Sequence, residues 1–271
     1  MNRPKQMLLN LLTISLLIAI VGAFQQVTAA AGDWSNTIGA VVLDNTLYSI
    51  EKNGVLYRTD LGTGKWVQVG KAEFGNTKFL FAGSKNLLTI ETDGSLYRID
   101  PSNGSWAQIG KAGDWKGTIA GTVLGGTLYT AESSGELYST NPATGDWRQI
   151  GKPDFGATRH LFNTGDLLYS IESDGSLYRI RPSNGAWSRA KEAGGWTNTM
   201  GSTVLNAKLY TVETSGVLYE TSLVTGLWKP IGKAEFGKTR FLFSANGWLY
   251  TLEDGGLYRV NPATGAWTVV G

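Results

Sequence analysis

The chain has 271 residues, 42% of them apolar and 17% charged, so it can bury a core and is not disordered by composition. It contains no Cys, which excludes disulfides, thiolate zinc sites, cysteine nucleophiles and lipid attachment through an N-terminal Cys. A single histidine, His160, excludes a His-rich metal cluster and leaves one candidate for histidine acid–base chemistry.

The first expected element is an export signal over residues 1–31. Arg3 and Lys5 supply a positive start, Met7 to Phe24 is almost wholly apolar, and the segment ends on Ala29-Ala30-Ala31, where a peptidase needs small residues. The alternative is an uncleaved membrane anchor. Cleavage near Ala31 predicts a secreted or periplasmic product with no stable membrane span, since no later apolar run approaches the roughly 20 residues a span requires. It also removes two basic residues and no acids, leaving 22 of each sign. That balance argues against nucleic-acid partners, which call for a clustered basic excess.

The rest of the chain repeats. LYRTDLGTGKW, LYRIDPSNGSW, LYSTNPATGDW, LYRIRPSNGAW, LYETSLVTGLW and LYRVNPATGAW place tryptophans at 66, 106, 147, 187, 228 and 267. Upstream of each lies a second aligned segment: LYSIE, LLTIE, LYTAE, LYSIE, LYTVE and LYTLE. The third unit shows the predicted elements: strands over Thr118 to Leu124, Leu128 to Glu132, Leu137 to Thr140 and Trp147 to Ile150. Ser134-Gly135 makes one turn, and Asn141-Pro142-Ala143-Thr144-Gly145 another, with Pro early and Gly late. No 3.6-residue period appears. Units of about 40 residues with four strands each read as blades, so the expected fold is an all-β, six-bladed β-propeller. Its blades fall at about 32–71, 72–111, 112–152, 153–192, 193–232 and 233–271. The mature chain starts at an inner strand and ends at an outer one, so the ring is expected to close without strand exchange.

The stretch Leu-Tyr-x-x-[Asp/Asn]-Pro-x-[Thr/Asn]-Gly-x-Trp resembles the docking motif of quinoprotein-type (PQQ-like) propeller repeats, and the chain is similar in general look to tachylectin-type lectin propellers. The first resemblance implies a tryptophan packed beside a neighbouring blade's turn. It does not extend to a cofactor: quinoprotein cofactor and calcium ligands are not found, and no cofactor or metal is expected. The six motif tryptophans are accordingly read as core and blade packing.

A longer period lies inside the short one. Odd blades begin GDWSNT, GDWKGT and GGWTNT, and even blades EFGNTKFLF, DFGATRHLF and EFGKTRFLF. The repeating unit is therefore a two-blade pair of 81 residues, used three times. Its divergent loop shares a face with the turn between second and third strands. There the sequence gathers Trp34, Trp115 and Trp196 (Phe74, Phe155 and Phe236 in even blades), a Thr in every blade, and the carboxylates Glu51, Glu91, Glu132, Glu172, Glu213 and Glu253. Lys78, Arg159 and Arg240 follow the Thr in even blades alone. The bland readings are that the Glu and Thr hold turns and that the Trp and Phe wedge between blades. The three cations repel one another and call for an acid or ligand nearby.

Three function classes follow. Exposed indoles at Trp34, Trp115 and Trp196, beside Glu51, Glu132, Glu213 and the three cations, suit lectin-like carbohydrate binding at repeated loop-face sites between blades. A monomeric, extracytoplasmic protein-interaction scaffold is the alternative, so the partner is a glycan or another exported protein. A propeller hydrolase or lactonase is a weaker third reading. The acids repeat in every blade, whereas catalysis breaks symmetry, and no catalytic residue is assigned. His160 stands where sister blades have Phe79 and Phe241, as a replaced aromatic or a lone acid–base group.

Overall fold

The computed structural model describes residues 30–191 and 195–270, and among these every regular element is a β-strand. Blade one holds β1 (Ala30–Ala31), β2 (Thr37–Leu43), β3 (Thr46–Glu51), β4 (Leu56–Thr59) and β5 (Lys65–Val69). Blade two holds β6 (Thr77–Ala82), β7 (Leu87–Glu91), β8 (Leu96–Ile99) and β9 (Trp106–Ile109). Blade three holds β10 (Thr118–Leu124), β11 (Thr127–Glu132), β12 (Leu137–Thr140) and β13 (Trp147–Ile150). Blade four holds β14 (Thr158–Thr164), β15 (Leu167–Glu172), β16 (Leu177–Ile180) and β17 (Trp187–Lys191). Blade five holds β18 (Thr199–Leu205), β19 (Lys208–Glu213), β20 (Leu218–Ser222) and β21 (Trp228–Ile231). Blade six holds β22 (Phe241–Ala245), β23 (Trp248–Glu253), β24 (Gly256–Val260) and β25 (Trp267–Val269). Each blade is an antiparallel meander, and the six form a six-bladed β-propeller.

The second strand of a blade is buried on both faces: Leu88 and Ile90 of β7, and Leu168 and Ile171 of β15, are fully buried between neighbouring sheets. The tight turns between first and second strands carry paired positive φ, at Asp44 (49°) and Asn45 (61°) and again at Asn206 (52°) and Ala207 (59°), the geometry that fits right-handed strand twist. One apolar cluster fills each seam between blades. Phe74, Phe155 and Phe236 sit in the seams inside the pairs, and Trp34, Trp115 and Trp196 in the seams between pairs.

A backbone bond at each seam registers one blade on the next. The amide of Phe74 donates to Gly54, Trp115 to Gly94, Phe155 to Gly135, Trp196 to Gly175 and Phe236 to Gly216. The sixth bond closes the ring: Trp34 N donates to Gly255 O at 3.1 Å, joining blade one to blade six with no strand exchanged. On the outer rim the motif glycine makes the docking contact. A Cβ on Gly104 would lie 2.7 Å from the Cα of Gly70, and one on Gly265 2.8 Å from that of Gly232. Both glycines also have positive φ, so any other residue there is excluded by space and by backbone conformation.

Residues 1–29 of the expected export signal lie outside the described residues. Ala30 and Ala31 pair with Trp66 and Lys65 as a short fifth strand on the outer edge of blade one. Among the described residues no helix is long and apolar enough to cross a membrane.

Candidate binding site

In blades one to five the residue after the first-strand Thr falls on a β-bulge. The ladder skips Ile38, Lys78, Ile119, Arg159 and Met200, between Thr37/Gly39, Thr77/Phe79, Thr118/Ala120, Thr158/His160 and Thr199/Gly201. A bulged residue leaves the pleat, and its side chain turns sideways. In blades two and four that residue is the cation, and it reaches the next blade; Arg240 of blade six, just before β22 with its amide bonded to Leu252 O, reaches blade one in the same way. Lys78 Nζ donates to Thr118 O at 2.5 Å. Arg159 donates to Thr197 O (2.6 Å) and Thr199 O (2.7 Å), and Arg240 to Trp34 O (3.2 Å), Ser35 O (2.7 Å) and Thr37 O. The three cations thus form three bridges, each tying an even blade to the odd blade after it.

The Thr and Glu of the loop face pair with each other. Thr37, Thr77, Thr118, Thr158 and Thr199 donate to Glu51, Glu91, Glu132, Glu172 and Glu213 at 2.7–2.9 Å, and Glu253 takes its bond from Thr251 instead. Burial raises the pKa of all six carboxyls. At Glu51, Glu132 and Glu213 the fields of Arg240, Lys78 and Arg159 oppose that rise. The acid that the cations call for is thus the odd-blade glutamate.

The two tryptophan sets exchange the places expected for them. Trp34, Trp115 and Trp196 are 2%, 2% and 3% exposed, because the backbone bond to the preceding blade's turn fixes the loop with the indole pointing into the seam. They cannot present a ring face to a sugar. The motif tryptophans read as core are instead outside: Trp106 is 46% exposed, and Trp147, Trp187, Trp228 and Trp267 are similarly open. Each opens the outermost strand of its blade, where no further sheet covers it.

These outer rings are nonetheless fixed. Trp106 stands edge-on to Tyr97, with centroids 5.1 Å apart and planes at 85°, and Trp147, Trp187, Trp228 and Trp267 repeat this with Tyr138, Tyr178, Tyr219 and Tyr258. An acid takes the indole proton: Trp106 Nε1 donates to Glu73 (2.9 Å), Trp147 to Asp114 (3.3 Å), Trp187 to Asp154 (2.9 Å) and Trp267 to Glu235 (3.0 Å). In blade five Gly195 replaces the acid. In blade one Trp66 lies flat on Tyr57, at 4.0 Å and 14°.

In blades one, two and four this corner opens a cleft. In blade two it measures about 230 Å³ and is lined by Glu73, Asn76, Glu91, Asp93, Tyr97 and Trp106 among others. In blade four it measures about 240 Å³, lined by Asp154, Glu172, Asp174, Tyr178 and Trp187 among others. The blade-one cleft carries Asp33, Glu51, Lys52, Asn53, Tyr57 and Trp66. Glu51, Glu91 and Glu172 of the carboxylate ring read from the sequence line these three clefts. These lie within a blade rather than between blades, and their walls are Tyr and the outer Trp. The missed signal was present: an acid directly precedes the loop aromatic in Asp33-Trp34, Glu73-Phe74, Asp114-Trp115, Asp154-Phe155 and Glu235-Phe236.

His160 is half-buried, with Nε2 3.4 Å from Thr199 O, and burial lowers its pKa. It fills the seam position of Phe79 and Phe241 and does not line the clefts of blades two and four.

No family model matches the chain, and no curated protein matches it. Solved structures do, at low identity. A protein of unknown function from Bacteroides thetaiotaomicron is similar with a TM-score of 0.66 at 13% identity, over 89% of this chain and 71% of that one. The computationally designed protein Ika8 is similar at 0.54 and 14% identity, over 88% and 74%. PorZ, a surface component of the type-IX secretion system of Porphyromonas gingivalis, is similar at 0.58 and 14% identity; 89% of this chain is covered but only 33% of PorZ, so the chain spans about a third of that protein. At these identities the likeness is one of fold.

Proposed function

We propose that the chain is an exported, non-catalytic binding module that holds glycans in the clefts of its loop face. The observation that carries this reading is the corner of Tyr and half-exposed Trp, repeated around the ring with carboxylates at its base. An indole face suits the C–H surface of a sugar and carboxylates accept its hydroxyl protons, while a held indole costs little entropy on binding. Weak sites gain avidity by repetition on one rigid body. Glycan-array binding tests it: retention that free sugar abolishes, and that falls at least about tenfold when Trp106 and Trp187 are both changed to Ala, is the expected result. Retention unchanged in that variant excludes these clefts.

A second reading, an extracytoplasmic interaction scaffold, rests on blade five. Its outer turn exposes Val224 (90%) and Leu227 (63%) beside Trp228, where blade two has Ser102 and Ser105. PorZ, described as a secretion-system surface component, shares the fold and lends this reading a parallel. Capture of a partner from the native host that is lost on changing Leu227 to Asp supports it.

A further inference from the structure

We infer that the clefts of blades two and four select sugars bearing a free, protonated amine. The inference rests on the glycan reading above and adds the charge of the ligand. In blade two the walls supply Glu73, Glu91 and Asp93 and no basic side chain. In blade four they supply Asp154, Glu172 and Asp174, with Arg189 beside the wall, held on the Tyr178 hydroxyl. The second-turn acid belongs to the even blades: blade one has Asn53 at that place, and blades three and five have Ser134 and Ser215. Blade one also adds Lys52 to its cleft wall. Negative charge is therefore concentrated in alternate clefts by the same 81-residue period that built the ring.

Aromatic walls strengthen the preference. An ammonium group over an indole or phenol face is held by the ring quadrupole, and more strongly where water is partly excluded. The protein uses the same chemistry on itself. Arg189 stands over the Tyr178 ring at 5.5 Å and donates to its hydroxyl, and Lys238 bonds Asp254 of blade six at 2.5 Å. Two carboxylates at these corners are unanswered: Glu172 of the blade-four cleft and Glu51 of the blade-one cleft are each more than nine-tenths buried with no hydrogen-bond partner at Oε2, and only the second has a lysine, Lys52, in the same cleft wall. Among the described residues no group of three or more His, Asp or Glu is placed to hold a metal ion.

Calorimetric titration of the whole protein, at about pH 6 where an amine of pKa near 8 is charged, tests the inference. The ligands are a glucosamine tetramer and its fully N-acetylated counterpart. The expected result is at least tenfold tighter binding of the free-amine tetramer, weakened by added salt. A double variant, Asp93→Asn with Asp174→Asn, should lose that preference. Its turns survive, because Asn53 already accepts the Val55 amide in blade one as Asp93 accepts that of Ser95. Lys238→Ala should add a third site. Equal binding of both tetramers overturns the amine selectivity and leaves the glycan reading standing. No binding of either tetramer, with tetramethylammonium still shifting the Trp106 indole resonance, overturns the glycan reading and keeps the cation cleft. A lysine-rich peptide bound as tightly as the free-amine tetramer overturns the assignment to sugars. Silence with every ligand overturns both.

Discussion

Inside each pair, β2 lies against β6, β10 against β14 and β18 against β22 more extensively than β6 meets β10, β14 meets β18 or β22 meets β2. The close seams are made by small residues and direct polar contacts. Gly39 and Gly201 would each place a Cβ 3.1 Å from that of a neighbouring leucine, Asn163 bonds Thr122 and Val123, and Ser244 bonds Val204. The wider seams are filled by an indole and spanned by a cation. Two solutions to one packing problem thus alternate around the ring. A seam can gain contact by bringing backbones together, or keep its distance and insert a large ring with a long charged bridge.

The largest effect should come from emptying a wide seam. Trp115→Ala removes a buried indole from the joint between blades two and three, at a cost of about 3–5 kcal/mol in chemical denaturation. Phe155→Ala in a close seam should cost less, because the flanking strands can settle together; equal losses would break the contrast. Arg240→Met comes next, at about 1.5–3 kcal/mol. It leaves the carbonyls of Trp34, Ser35 and Thr37 without their charged donor at the closing seam. Gly39→Val overpacks a close seam and should cost about 1–3 kcal/mol, whereas Gly39→Ala is milder, since Ala120 holds the matching place.

A pH series sharpens the contrast. A carboxyl whose pKa is raised on folding binds protons more tightly in the folded chain. Its contribution is greatest below its unfolded pKa, near 4.3, and is lost as pH rises through the folded value. Glu91, pushed up by burial with Asp93 adding to the rise, should show this more than Glu132, which Lys78 opposes. Denaturation midpoints between about pH 4 and pH 8 should therefore flatten more for Glu91→Gln than for Glu132→Gln. The smallest effect lies outside both seams. Ala207→Gly relieves a φ of 59° and should gain about 0.5–1 kcal/mol, leaving the contrast untouched.

The fold was legible because repeated sequence reports repeated structure: strand ends, turns and the 81-residue pair are all written in spacing. The site was legible in part. The spacing marks the carboxylates and the loop aromatics, but it does not show that Trp34, Trp115 and Trp196 are buried while Trp106, Trp147 and Trp187 are half exposed. Side-chain direction decides this, and it depends on the amide bond from the loop to the preceding blade, which no pattern within one unit displays. Likewise the sideways turn of Lys78 and Arg159 follows from a bulge, and a bulge leaves no mark in a strand this short. The acids preceding the loop aromatics were visible, yet their indole partners lie 32 or 33 residues downstream.

The alternation of joints has a consequence for assembly. Every two-blade segment carries a basic arm at one end and the carbonyl cradle that receives it at the other. Three separate copies of one such segment would therefore meet head to tail and complete a C3 trimer, each arm finding the cradle of the next copy. A gene a third as long would encode all the information such a closed assembly needs, and the present chain holds three versions of it in covalent succession.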